Sequence, residues 1–177
     1  MPATNVSPNV DNYYVGKGVV SISLDEGATW RDVGNVPEFE FTPEVDRLDH
    51  YSSRTGVRTK DRSIVIEKSG AVRIVMEEWT ADNLALILMG SAGASDVDTG
   101  AITIDVLAAS QIVAAVRFVG MNEVGPRLTL EFPRVDFAPS GSINPISDEW
   151  GQIEIEGEVT AVNGVFGTAT WTPGAGA

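Results

Sequence analysis

A chain of 177 residues that is 43% hydrophobic is long enough to bury one substantial core and too apolar to be disordered. Twelve basic residues stand against twenty-five acidic ones, a formal charge of −13, which argues against non-specific nucleic-acid binding and against anionic membrane surfaces. There is no cysteine, so disulfides and thiolate metal sites are excluded, and no apolar run approaches the roughly 18 residues a membrane span requires.

The opening MPATNVSPNVDNYY has neither a basic n-region nor an apolar h-region, so no secretory signal is expected, and Asn5-Val6-Ser7 reads as a chance sequon. Residues 1–17 are polar and rich in Pro and Asn, which predicts an extended arm, loose unless something outside the domain holds it. Gly18 to Leu24 predicts a strand with Val20, Ile22 and Leu24 on one face. Asp25-Glu26-Gly27 is a turn signal, and Thr29 to Val33 returns as the hairpin partner.

From Val36 to Val45 the pattern alternates strictly. Glu38, Glu40, Thr42 and Glu44 fall on one side, and Phe39, Phe41, Pro43 and Val45 on the other, which makes a strand with an acidic and an apolar face. The next β-rich run is Ser63 to Lys68. The seventeen residues between, Asp46 to Arg62, predict a long loop, of a length usually functional or disordered. That loop carries Arg47, Arg54, Arg58, Lys60 and Arg62 against Asp46, Asp49 and Asp61, so it is near +2 while the rest of the chain is near −15. A cationic arm on an anionic body fits a protein that docks onto copies of itself. Ser69-Gly70 predicts a tight turn into a further strand, Ala71 to Glu78, where Val72, Ile74 and Met76 share a face.

One helix is predicted. Thr80 is its N-cap, Asp82 complements the dipole in the first turn, and Gly90 closes it as the C′ residue. The run from Leu84 to Met89 is apolar nearly all round, so Leu84, Leu86, Ile87 and Leu88 are expected to be buried against a sheet or a neighbouring subunit. Ser91 to Gly100 is a loop. Ala101 to Leu107 and Ile112 to Val119 read as strands, with a helix over 106–116 as an open alternative. Arg127 to Phe137 alternates, and its phase slips at Pro133, where a bulge or an edge position is expected. After a polar loop, Gln152 to Val162 places Glu154, Glu156, Glu158 and Thr160 on one face and Ile153, Ile155, Gly157 and Val159 on the other. Gly164 to Trp171 gives a last short strand before a tail over 172–177. The sum is a mainly β chain, a sandwich or barrel-like sheet assembly with one short α-helix packed on it.

Catalytic chemistry is sparse. His50 is the sole histidine, and a Ser-His-Asp set with Asp49 and Ser52 or Ser53 would lie in a loop without a scaffold. Asp46, Asp49 and His50 meet no metal-ligand spacing, and Asp96-x-Asp98-x-Gly100 echoes a calcium loop without its terminal glutamate. Gly16-Lys17-Gly18 lacks the spacing of a phosphate-binding loop. No cofactor, no catalytic residue and no metal site is expected, and an enzyme is not the reading. The two glutamate ladders omit the lysines that usually interleave on solvated strand faces, and like charges on paired strands cost stability, so a function for them is suspected.

At this point the chain resembles the major tail tube proteins of long-tailed bacteriophages with flexible, non-contractile tails. The stretches that carry the resemblance are GKGVVSISLDEGATWRDVGNVPEFEFTPEVDRLDHYSSRTGVRTKD, EEWTADNLALILMG, LEFPRVDFAPSGSINPISDEWGQIEIEGEVTA and VFGTATW. The resemblance implies a single β domain over 18–171 whose strands join an inter-subunit β-barrel, in six-subunit rings stacked as a tube for DNA delivery. It implies Glu38, Glu40, Glu44, Glu154, Glu156 and Glu158 as the acidic lumen lining, and the 46–62 arm as a bridge between rings. It also implies a tape-measure protein, tail terminator and distal tail proteins as partners, DNA passing without specific binding, no membrane, and a virion tail assembled in the host cytoplasm. Two other classes remain: a tube of the type VI secretion kind, and a monomeric β-sandwich binding or decoration module.

Overall fold

A computed structural model describes residues 8–54 and 56–174. The first seven residues of the expected arm, with the Asn5 sequon, and the last three of the tail lie outside the described residues. Along the chain come β1 (Gly18–Ser23), β2 (Arg31–Asp32), β3 (Glu38–Ser52), β4 (Thr59–Met76), α1 (Ala81–Ile87), β5 (Ser91–Ala92), β6 (Ile104–Asp105), β7 (Ile112–Gly120), β8 (Arg127–Pro139), β9 (Ile153–Val159) and β10 (Thr168–Thr172). The chain is mainly β with one short α-helix. Its main sheet runs β2-β1-β7-β8-β9-β4-β3, all antiparallel. β10 pairs with the first half of β8 while β9 takes the second half.

The sheet curls onto its own apolar face. Phe39 of β3 stacks on Phe118 of β7 with ring centroids 5.1 Å apart, and Phe41 lies 4.6 Å from Phe132 of β8. These strands are several places apart in the sheet, so only curvature brings their rings together. Between them Val72, Ile74, Val135, Ile153 and Ile155 are fully buried, each worth about 1.5–3 kcal/mol of burial. Space here is tight: a Cβ at Gly157 would sit 2.6 Å from Val135 Cγ1. The phase slip at Pro133 is a bulge. The β7–β8 register passes from Ala114↔Val135 to Val116↔Phe132, leaving Pro133 and Arg134 against one residue of β7.

The long loop expected over 46–62 is a strand pair instead. β3 and β4 pair from Glu38↔Val75 out to Ser52↔Thr59, with register shifts at Asp46/Arg47 and His50/Tyr51. Nor is Ser69-Gly70 a turn: Gly70 pairs with Pro43 inside the ladder, where a Cβ would meet the Phe41 ring at 2.7 Å. Strict alternation arises only where one sheet face is buried. Beyond Pro43 and Gly70 no second layer among the described residues covers this ribbon, so pairing persists while the hydrophobic period disappears.

Three smaller differences have local causes. The helix alternative over 106–116 is ruled out by Leu107, which takes φ 56°, and the strand expected over 101–107 shrinks to Ile104–Asp105. Thr80 does cap α1 through the Asn83 N–H, but the left-handed C′ residue is Met89 at φ 46°, not Gly90. The Gly90 N–H reaches the Ala85 carbonyl and the Met89 N–H that of Leu86, the paired bonds of a Schellman stop. Finally, residues 10–17 are held by the domain itself. The buried Asn122 amide donates to the Tyr13 and Pro126 carbonyls and accepts from the Val15 N–H.

α1 packs one side on the sheet end. Leu86 and Ile87 are buried there, while Leu84 and Leu88 are half-buried, so the helix is not enclosed all round. Asn83, absent from the sequence reading, is fully buried. Its amide donates to the Val33 and Glu78 carbonyls, and its carbonyl accepts from Arg31 at 2.7 Å.

Candidate functional site

The two glutamate ladders belong to strands more than a hundred residues apart in the chain, and β4 brings them together. Its register aligns Glu40, Arg73 and Glu156 in one row, with Glu38, Val75 and Glu154 in the next and Thr42, Ala71 and Glu158 on the other side. Rows of a sheet share a face. Glu38, Glu40, Glu44, Glu154, Glu156 and Glu158 therefore lie on the face opposite the core, and Asp136 of β8, paired with Glu158, joins them. The face continues onto the ribbon, where Asp46 and Glu67 stand directly opposite each other.

Arg73 is the cation among these carboxylates. Its Nε and Nη2 donate to the two oxygens of Glu154 at 2.8 and 3.1 Å, and its Nη1 lies 2.7 Å from Glu38 and 3.3 Å from Glu40. The fork holds the Glu154 carboxyl below the usual carboxylate range. In return Glu154, then Glu38, hold the guanidinium more firmly protonated than usual. This bidentate bridge ties β4 to β9 and partly offsets the repulsion between ladders. Glu40, Glu44, Glu156 and Glu158 remain exposed, and the last three form no ion pair among the described residues. Sequence reasoning passed over Arg73 and Asp136. The signal for Arg73 was a lone base on the polar side of the Val72-Arg73-Ile74-Val75 strand, but its meaning depends on knowing both neighbouring strands.

Such a face is a fixed anionic wall. One guanidinium among seven carboxylates leaves it strongly negative, so it repels the phosphate backbone of a nucleic acid. Among the described residues no group of three or more His, Asp or Glu is placed to hold a metal ion.

The triad considered around His50 dissolves. His50 Nδ1 lies 2.6 Å from Asp61, across the ribbon, while Asp49 meets Lys60 at 2.8 Å. The Lys60 ammonium, then the Ser63 hydroxyl, hold the Asp49 carboxyl below its ordinary value. Asp96 likewise spends its carboxylate on a turn, accepting from the Thr99 hydroxyl and from the Asp98 and Thr99 N–H groups.

The basic residues of the ribbon divide. Lys60 is paired, Arg58 lies 5.3 Å over the Tyr51 ring, and Arg47, Arg54 and Arg62 are exposed with no ion pair among the described residues. Apolar side chains are exposed beside them: Val45, Leu48, Ile64, Val65 and Ile66. A two-stranded ribbon bare on both faces is marginally stable on its own.

The family described as "Protein of unknown function UCP028589" matches residues 13–113 and 98–166. No curated protein matches the chain. Among solved structures, one described as the tail of an empty GTA particle, computed with helical refinement and C6 symmetry, is similar at 10% identity. The match covers 88% of this chain and 95% of that one, with a TM-score of 0.43, a likeness too remote to carry a functional conclusion.

Proposed function

This chain belongs to the family described as protein of unknown function UCP028589, and we propose that within it the chain is a structural subunit of a phage-type tail tube. Copies form six-membered rings that stack into a hollow tube, and the acidic face of β8, β9, β4 and β3 lines the channel. The observation that carries this reading is the meeting of both glutamate ladders on one sheet face. A wall of Glu40, Glu44, Glu156 and Glu158 repels the DNA backbone, so DNA slides through without specific binding.

Two further features support assembly. β3 is a 15-residue edge strand whose outer side has no partner strand among the described residues. Long open edges invite pairing with another chain, and closing a ring removes them. The ribbon beyond Pro43 projects from the domain and serves as the bridge between rings. The tape-measure protein, tail terminator and distal tail proteins are the remaining partners, in a virion tail assembled in the host cytoplasm, and the role is structural rather than enzymatic.

Sedimentation and negative-stain microscopy of the purified protein test the reading. Rings or long tubes are expected, and a chain that stays monomeric at every concentration and salt refutes it in favour of a binding or decoration module. Glu156→Lys with Glu158→Lys tests the lumen, since both side chains are exposed and unpaired. Glu154 is unsuitable, because its replacement would strand Arg73. Tubes of the double variant are expected to retain DNA that wild-type tubes release, and equal release would reduce the ladders to an ordinary solvated face.

A further inference from the structure

Val162 to Val165 is a hairpin turn with two residues at its tip. The Val162 N–H donates to the Val165 carbonyl at 2.9 Å, and the Val165 N–H to the Val162 carbonyl at 3.1 Å. Between them Asn163 takes φ 53° and Gly164 φ 81°, both left-handed, as the tightest hairpin turns require. Glycine adopts that backbone freely, and asparagine more readily than most residues. The Asn-Gly pair occurs nowhere else in the chain. The other asparagines precede Val, Tyr, Leu, Glu or Pro, and no aspartate precedes glycine.

The pair carries a chemistry of its own. An asparagine Cγ and the main-chain nitrogen of the next residue can close a five-membered ring, and where that residue is glycine no Cβ hinders the approach. Here both residues are exposed, and a Cβ on Gly164 would meet nothing within 4 Å. Neither the Asn163 side chain nor the Gly164 N–H has a hydrogen-bond partner among the described residues. Asn83 and Asn122, by contrast, are buried with their amides bonded to main-chain carbonyls.

We propose that Asn163 is a self-modification site whose conversion unlatches β10. Hydroxide removes the Gly164 N–H proton and the nitrogen bonds to Asn163 Cγ. The Cγ–Nδ2 bond breaks, and its nitrogen leaves as ammonia with a proton from water. Water then opens the cyclic imide. Addition at Cγ gives aspartate, whereas addition at the Asn163 main-chain carbonyl gives isoaspartate, whose chain runs through the side-chain methylene. Overall the reaction is a hydrolysis, with water the only co-reactant. It is independent of the tail-tube reading.

Closing the ring turns Asn163 out of its left-handed backbone, so the two Val162–Val165 bonds slow the step in the folded chain without blocking it. The products differ in consequence. Aspartate adds a charge and suits the same turn. Isoaspartate lengthens the turn by one backbone atom, for which a two-residue tip set by paired hydrogen bonds has no slack. This turn leads from β9 into β10, and β10 is paired along β8 alone among the described strands, with every one of its residues exposed. Loss of the turn therefore frees the start of β10.

The full chain, held in neutral to mildly alkaline buffer and sampled over weeks, tests both halves. A glutamate-specific protease releases the segment after Glu158, and chromatography with mass spectrometry separates its asparagine, aspartate and isoaspartate forms. Conversion at Asn163 is expected to outpace that at every other asparagine, to quicken with pH and in denaturant, and to be lost in Asn163→Gln. Asn163 retained while Asn35 or any other asparagine converts would overturn the site. Hydrogen exchange reads the consequence. The isoaspartate form is expected to exchange faster over Thr168–Thr172, while freshly prepared Asn163→Asp, which adds the charge alone, keeps the original protection. Unchanged protection in the isoaspartate form overturns the unlatching, and so does an equal loss in Asn163→Asp.

Discussion

Replacing Asn83 tests how α1 is fastened to the sheet. The side chain is fully buried, and its amide is the donor to both the Val33 and Glu78 carbonyls, at 2.9 Å each, while Arg31 donates to its oxygen. Asn83→Ala leaves two acceptors and one guanidinium donor without this partner. Each buried polar group left unpaired costs about 1–3 kcal/mol, and the Val33 bond is the more enclosed of the two, so a loss of roughly 3–5 kcal/mol is expected. At about 2–4 °C per kcal/mol for a chain of this size, melting followed by circular dichroism on the unassembled subunit falls by on the order of 10 °C. Asn83→Asp separates hydrogen bonding from packing, because it keeps the shape and loses both donors. At neutral pH it places a carboxylate against two carbonyls and is expected to match or exceed the alanine variant despite the attraction of Arg31. Its deficit shrinks in acid, where the neutral carboxyl can donate again. A fall of less than about 2 °C for Asn83→Ala would mean under about 1 kcal/mol, and would refute the claim that this one amide satisfies those carbonyls.

The remaining predictions concern the helix, acid stability and the bulge. Leu86→Ala is expected to cost about 2–4 kcal/mol and Leu84→Ala about half as much, in line with their burial; equal losses in thermal melts would show that α1 is enclosed on both sides. The Asp25 carboxyl is lowered to about 2 by the Ser23 hydroxyl, then by Thr29, and Glu154 is lowered by Arg73. Folded values below unfolded ones stabilise the fold above the ordinary carboxylate range, and that contribution is lost as pH falls through the folded values. Melting temperature is therefore expected to hold near neutrality and decline below about pH 4.5, and Asp25→Asn to flatten part of the decline. An unchanged acid profile would count against the turn as its source. Deleting Pro133 leaves Arg134 alone opposite Ala115 and keeps Phe132 and Val135 on the inner face. The fold is therefore expected to survive with a lowered melting temperature, and loss of folding would show that the bulge itself is required.

How much of this protein its sequence determines depends on how local the cause is. Period-two alternation assigns Glu38, Glu40 and Glu44 to one side of a strand and Glu154, Glu156 and Glu158 to one side of another, because neighbouring side chains on a strand must oppose. The Thr80 cap and the Pro133 bulge are likewise local, each governed by a few residues of backbone. Strand pairing is not local. That β3 and β9 flank the same strand, on the same face, with Arg73 between them, is decided by which apolar faces close the core, and no pattern within either ladder states it. The ribbon shows the converse. Its residues alternate poorly because no core faces them, so a hydrogen-bonded strand pair reads as a charged loop. Asn83 and Asn122 look like ordinary polar residues until the fold brings distant carbonyls to their amides. Tertiary structure decides such positions, since a buried polar group is tolerated only where a partner from elsewhere in the chain meets it.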